Sequence, residues 1–416
     1  MSERVIQKRQ FWVILTIVFF GFVGISMPYL IFPSLFLNPE YSIVPSAWGE
    51  ASRAIFLGIT LAAYPLGQFI GSPILGSLSD DYGRKPLLTG SLLIAGLCYL
   101  LSGLSIAWQH LELLIFSRFV AGLMEGNIAI ARAMASDLKQ LPKHDTFGKI
   151  NAVTSIAFLV GPLLGGLMTD RSLFEGLTIS TPFYVVFVLF TLLAGLAALI
   201  LKTTRGVNPK EIQNFGERFN IYKRLSRLFT NKQLQFLMII STCFTLAVDI
   251  FYEFGPVYLT VKWTLVPSDL IIYNAGLCVG LAIGNGWLPN WMSKFTTNQR
   301  FLILSSIAGF ALLLLGIILT NSTALMLLMF TVSGLCIGLA VTLVTVKISN
   351  SVDDTIQGEV MGVQLSLRVL GDGIICLLGG FLLLLSSKII LLFAAILTAG
   401  SFTYYNMNTI NRPKGL

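Results

Sequence analysis

Gln235-Phe-Leu-Met-Ile-Ile-Ser-Thr-Cys-Phe-Thr-Leu-Ala-Val-Asp249-Ile-Phe-Tyr-Glu253-Phe-Gly-Pro-Val257 decides the fold of this chain. The stretch is long and apolar enough to cross a hydrocarbon core of about 30 Å as one helix. Yet it carries two carboxylates, Asp249 and Glu253. A carboxylate in hydrocarbon is costly, so it persists only where it lines a polar cavity, pairs, or takes up a proton. Glu125 and Asp372 sit in other apolar runs in the same way, with Arg118 and Arg368 at similar depth. The chain therefore reads as membrane-embedded, with a polar path through it.

Working outward, apolar runs of spanning length recur near 11–33, 54–76, 87–107, 111–133, 150–169, 182–201, 235–257, 268–292, 301–320, 323–348, 358–384 and 389–407. These predict an all-α integral membrane protein of twelve transmembrane helices. With 55% hydrophobic and 12% charged residues, a soluble globular fold of this length is excluded. The runs do not alternate as barrel strands do. The first ends in proline-rich sequence with no small-residue cleavage site, so it reads as a retained helix. Cys98, Cys243, Cys278, Cys336 and Cys376 are scattered through the runs and offer neither a disulfide framework nor a metal site. No P-loop, dinucleotide fingerprint or nucleic-acid module appears. An enzyme, an ATP-driven pump and a nucleic-acid binder are therefore not expected.

The net charge of +8 concerns orientation. Alternate loops and the termini hold 22 of the 28 Lys and Arg, and the opposite loops hold only Arg53, Arg171, Lys262 and Lys388. The positive-inside rule puts both termini in the cytoplasm, as an even number of spans requires. The longest interruption divides the runs into six and six: an N-terminal bundle over 1–201, a basic cytoplasmic linker over 202–234, and a C-terminal bundle over 235–416. The linker's apolar residues have helical spacing, so it reads as an amphipathic helix on the inner leaflet or as a flexible tether.

The halves look like repeats. Ser117-Arg118-Phe119-Val120-Ala121-Gly122-Leu123 in span 4 parallels Met329-Phe330-Thr331-Val332-Ser333-Gly334-Leu335 in span 10. Asp145-Thr146 and Asp354-Thr355 follow, and Gly148 precedes Gly161 as Gly358 precedes Gly371. Such duplication predicts two six-helix bundles with the substrate site near the bilayer midplane.

Between spans 2 and 3 stands Gly76-Ser-Leu-Ser-Asp80-Asp81-Tyr-Gly83-Arg84-Lys85, which resembles the G-x-L-x-D-R-x-G-R-R signature of the major facilitator superfamily. Asp81 departs from it, standing where the family has Arg or Lys. Arg118-Phe-Val-Ala-Gly122 is similar to a second family motif associated with proton transfer. Gly161-Pro162-Leu-Leu-Gly165-Gly166 is similar to the antiporter motif of proton-coupled drug exporters. Pro28 and Pro33 loosely match the proline motif of span 1. The resemblance covers essentially the whole chain and points to twelve-span drug:proton antiporters of the tetracycline-exporter group, although span 1 here lacks their acid. It implies a conformational latch in which Asp80 caps the start of span 11 and Arg84 bonds Asp137. It also implies rocker-switch export of a small organic compound, driven by the proton gradient without cofactor or metal, by a monomer in the bacterial inner membrane. Import of a nutrient such as an amino acid by proton symport, or siderophore carriage, is the alternative. A transporter-like sensor without net flux is a third.

The charged sites divide by spacing. Asp249 and Glu253, four apart, share a face of span 7, where two close carboxylates cannot both ionise cheaply and the pair should hold a proton. The alternative is that one acid bonds a neighbouring helix and the other sits in interfacial water. Tyr252 and Tyr258 flank them. Arg368 and Asp372, also four apart, read as a structural ion pair or as cavity groups. Arg118 and Glu125 lie two turns apart, so Glu125 answers another helix or the substrate unless both side chains bend. Asp249, Glu253, Glu125 and Arg118 are thus the proton-coupling candidates. Arg368, Asp372, Tyr252, Asn127 and Gln68 are the candidate cavity residues, with helix-to-helix bonding the default for the uncharged ones. Arg132 and Lys347 read as snorkelling anchors. Trp287 and Trp291 fit a cavity wall or an interfacial belt.

Overall fold

The computed structural model describes residues 3–39, 41–45, 47–138, 143–202, 232–296, 298–351 and 357–410. Residues 203–231 of the linker expected over 202–234, the Asp354-Thr355 marker and the Asp80 and Asp145 side chains lie outside the described residues. The described chain is helical throughout and forms two compact units, one of Met1–Asn220 with Val266–Ser268 and the other of Ile221–Leu265 with Asp269–Leu416.

In the first unit α1 (Glu3–Ser26) passes through a 3-10 turn, Met27–Leu30, into α2 (Ile31–Leu37). Pro28 starts that turn, since it lacks the amide that would continue the α1 ladder. Then come α3 (Glu50–Tyr82), α4 (Arg84–Ala107), α5 (Leu111–Leu123), α6 (Gly126–Ser136), α7 (Lys143–Leu167) and α8 (Thr181–Ile200). The second contains α9 (Lys232–Trp263), α10 (Pro267–Gly286), the short α11 (Leu288–Met292), α12 (Gln299–Leu319), α13 (Thr323–Ser349), α14 (Gln357–Leu383) and α15 (Ser387–Ile410). Among the described residues eleven spans are long and apolar enough to cross a membrane, while α7 contributes the shorter apolar stretch Ala152–Leu167. The chain is a multi-pass membrane protein. Its helices turn aliphatic side chains outward: on α8, Leu192 and Leu199 are exposed while Phe183, Val186, Phe190 and Ala197 are buried.

Backbone contact between helices fixes each unit. A Cβ on Gly67 or Gly71 of α3 would overlap the main chain of Phe119 or Leu123, and one on Gly122 would overlap the Tyr64 carbonyl. Small residues at such a crossing let helices in lipid touch main chain to main chain. The second unit repeats the seam. Gly280 and Gly284 of α10 abut Thr331 and Leu335, and Gly334 abuts Leu277. This is the register in which Phe119, Gly122 and Leu123 align with Thr331, Gly334 and Leu335 in the sequence.

Two short connections matter for the site. Gly83 alone separates α3 from α4, at φ 94°, a conformation that an L side chain rarely adopts. Between α2 and α3, Arg53 gathers the loop. Its Nη1 donates to Ser42 Oγ (3.0 Å) and Phe36 O (3.3 Å), its Nε to Trp48 O (3.2 Å) and its Nη2 to Pro45 O (3.3 Å). Ile43 and Val44 are buried beneath it.

Candidate functional site

The first unit collects its charges around a break in span 4. α5 ends at Leu123 and α6 begins at Gly126, with Glu125 in the N-cap position. The ladder tightens there, Glu125 N donating to Gly122 O (3.0 Å) and Asn127 N to Met124 O (3.1 Å). A carboxylate at the start of a helix complements its dipole. Glu125 is 7% exposed. Its Oε2 has no hydrogen-bond partner.

Arg118, 2% exposed, lies in an aromatic box. Its Cζ is 4.4 Å from the Tyr64 ring centre, 5.4 Å from that of Phe32 and 5.5 Å from that of Tyr99. A desolvated cation over such a face gains roughly 2 kcal/mol. Nε and Nη1 remain without an acceptor. Arg132 departs from its expected role as an anchor. It is half-buried, with its Cζ 5.7 Å from the centre of the Phe22 ring, and it stands two turns after Glu125 on the same span.

At the end of α3, Arg84 Nη1 meets Asp137 Oδ2 at 2.6 Å. Nothing lies close to a Cβ built on Gly76. On α7, a Cβ on Gly161 would overlap Ser26, and one on Gly165 would overlap the Met27 carbonyl, so these glycines let α7 press on the 3-10 turn. Pro162 lies within that helix and Gly166 is buried beside it. Asn127 is buried, 3% exposed, and Gln68 half-buried.

In the second unit Arg368 of α14 reaches across to Asp249 of α9. Nη2 lies 2.6 Å from Oδ1 and Nε 3.0 Å from Oδ2. The fork-shaped guanidinium thus meets both oxygens of a carboxylate on the neighbouring helix, a partner that spacing along α14 does not show. Asp249, one turn before Glu253, is therefore paired with a cation. Asp372, half-buried, accepts from Cys376 Sγ at 3.8 Å.

Beside these acids is a small pocket lined by Phe251, Tyr252, Tyr273, Asn274, Leu277 and Phe330, among others. Phe330 occupies the repeat position of Arg118 and packs on Phe251 at 4.8 Å and Tyr273 at 5.8 Å. The cation of one half is therefore an aromatic ring in the other. Tyr258, which flanks the acids in sequence, donates to the carbonyls of Ile317 and Ile318 (both 3.3 Å), at the end of α12. Lys347 donates to Tyr405 OH at 3.0 Å, so it is tied to α15. Trp287 and Trp291 stack at 5.3 Å and are 59% and 40% exposed.

A family model described as Major Facilitator Superfamily matches residues 14–375. The chain belongs to the major facilitator superfamily. It is 37% identical over 161 residues to the class H tetracycline resistance protein of Pasteurella multocida, a match covering 38% of each chain. It is 28% identical over 224 residues to multidrug resistance protein 2 of Bacillus subtilis, covering 53% of this chain and 51% of that one. The chain thus matches about two fifths to half of the length of these relatives. Among solved structures, a bacterial homologue of the human lysosomal transporter Spinster superposes with a TM-score of 0.73 over the full length of both chains at 14% identity. That likeness speaks to the facilitator fold alone.

Proposed function

We propose that this transporter exports small amphipathic organic compounds, of the tetracycline or multidrug kind, in exchange for protons, by rocker-switch alternating access. The observation that carries the reading is Glu125: a buried carboxylate at a helix break, with one oxygen unpartnered, beside the arginine of the proton-transfer motif. A group so placed binds and releases a proton as its surroundings change. Glu253 serves the same purpose in the second unit, with Asp249 held by Arg368 as a fixed dipole beside it. Protonation favours one facing state and cargo the other, so the two are coupled through a shared equilibrium. Tyr252, Asn274 and Phe330 supply the aromatic and amide surface for cargo.

The relatives and the Gly161-Pro162 motif support export over import. The loop charges support an inner-membrane protein with both termini in the cytoplasm. The test is flux in proteoliposomes under an imposed pH gradient, with tetracycline and a panel of lipophilic cations as cargo. Gradient-driven, Glu125-dependent exchange is expected. Flux indifferent to the gradient would sink the proton reading, and proton and cargo moving in the same direction would replace exchange with symport.

A further inference from the structure

We propose that Arg368 of α14 is a binding site for the anionic group of an amphipathic cargo, its guanidinium held in place by Asp249. The proposal rests on the cargo reading given above and deepens it by naming the charge of the cargo. By count, the mid-span charges are the acids Glu125, Asp249, Glu253 and Asp372 against Arg118 and Arg368. Such a count favours a cationic cargo. Exposure reverses the sign. Glu125, Asp249 and Glu253 are 7%, 6% and 8% exposed, and Asp372 is half-buried. Arg118 is enclosed by the rings of Phe32, Tyr64 and Tyr99. Of these groups Arg368 is the most exposed, its side chain at 49% against 8% for that of Asp249. The pair presents its cation and hides its anion.

The exposed side of Arg368 is not a lipid face. Farther along α14, Ile374, Leu378 and Phe381 are exposed and share one side of the helix. That side is wholly apolar, as contact with hydrocarbon requires. Leu365, Arg368 and Asp372 cluster on the other side. A guanidinium at mid-span depth with half its surface open faces water or cargo, because facing hydrocarbon is too costly. Leu365, one turn before it, is 48% exposed. One cation and one aliphatic surface side by side fit an organic acid with an apolar body.

The two-point bond sets how the guanidinium is offered. Asp249 takes the edge formed by Nε and Nη2, at 3.0 and 2.6 Å. Nη1 lies outside that bond. A carboxylate on the outer edge meets Nη1 together with the second N–H of Nη2, the fork that suits arginine to such groups. Asp249 already offsets the arginine charge, so a cargo anion is held by directed hydrogen bonds more than by net charge. That leaves the site able to release what it binds. The like charge of Asp372, one turn on, steers the anion to the Leu365 side.

The experiment is equilibrium binding to the purified protein in lipid nanodiscs, at constant pH and without a gradient. The probes are tritiated 1-naphthaleneacetate and the matched cation (1-naphthylmethyl)trimethylammonium. Wild type is expected to bind the acid more tightly than the cation. The neutral pair Asp249→Asn/Arg368→Gln strands no carboxylate. It is expected to weaken binding of the acid about tenfold or more while leaving the cation unchanged. Arg300→Gln, at the start of α12 where Arg300 bonds Asn406, is expected to alter neither. No binding of the acid, tighter binding of the cation by wild type, an acid affinity unchanged in the neutral pair, or an equal loss in Arg300→Gln would overturn the proposal. If the neutral pair does not fold, Arg368→Lys keeps the charge and loses the fork. It is then expected to weaken the acid severalfold, and an unchanged affinity counts against the site. Wild-type flux indifferent to a pH gradient would defeat the proton reading, while binding still decides the role of Arg368.

Discussion

Arg368 on α14 grips Asp249 on α9 at two points, yet the partners differ in exposure: the arginine side chain is 49% exposed and the aspartate 8%. The consequences of cutting the pair are therefore unequal. Asp249→Asn leaves a cation that can rehydrate, whereas Arg368→Gln strands a buried carboxylate. Arg368→Gln is expected to lose about 2–3 kcal/mol and Asp249→Asn about 1 kcal/mol, with the double variant more stable than Arg368→Gln alone. Thermal unfolding of the purified variants checks the order. Equal losses would show that water reaches Asp249 freely.

Glu125→Gln and Glu253→Gln both remove a proton carrier without changing shape. Each is expected to abolish cargo flux driven by a pH gradient while leaving downhill exchange of labelled cargo intact. Measuring the two fluxes on the same vesicles separates coupling from folding. Full gradient-driven flux in both variants would remove these acids from the proton path.

The glycine seams predict a sharp positional contrast. Gly71→Leu and Gly280→Leu push a side chain into facing main chain and should cost at least about 1–3 kcal/mol, by the usual penalty of overpacking. Gly195 of α8, exposed and with no atom near a built Cβ, tolerates alanine. Relief of helical glycine should make Gly195→Ala more stable by up to about 1 kcal/mol. Detergent-solubilised unfolding temperatures test both signs.

Arg84 and Asp137 pair at 2.6 Å but are 19% and 37% exposed. Screening by water holds the contribution to stability to roughly 1 kcal/mol or less. Asp137→Asn is thus expected to leave the unfolding temperature nearly unchanged while altering turnover, as a latch would. A large loss of stability with normal turnover would make the pair a structural brace.

Much of this molecule can be read from residue order. Spans follow from run length, and the seam register follows from the match of Gly122 with Gly334. The Arg84–Asp137 pair follows from a motif. What sequence order hides is lateral neighbourhood. Spacing put Arg368 next to Asp372, because i,i+4 is the only contact a single helix announces; the partner on α9 comes from packing. Arg132 looked like an anchor because its place near the end of an apolar run says nothing of the Phe22 ring of α1 against which it packs. Tyr64, central to the first-unit group, carries no charge and sits in an apolar run. Its only sequence signal was its place one turn before Gly67 in a glycine-spaced face.

The seams also constrain how such a protein can change its diet. Where Gly67, Gly71 and Gly122 bring main chain against main chain, any larger residue disturbs two helices at once, so no new preference can be reached by mutating there. Tyr252, Asn274 and Phe330 meet their surroundings through side chains, and each can be exchanged at its own cost. Under the export reading proposed above, adaptation to a new cargo should therefore accumulate in the second unit's pocket wall, with the seam acting as the inherited chassis on which such variation is tolerated.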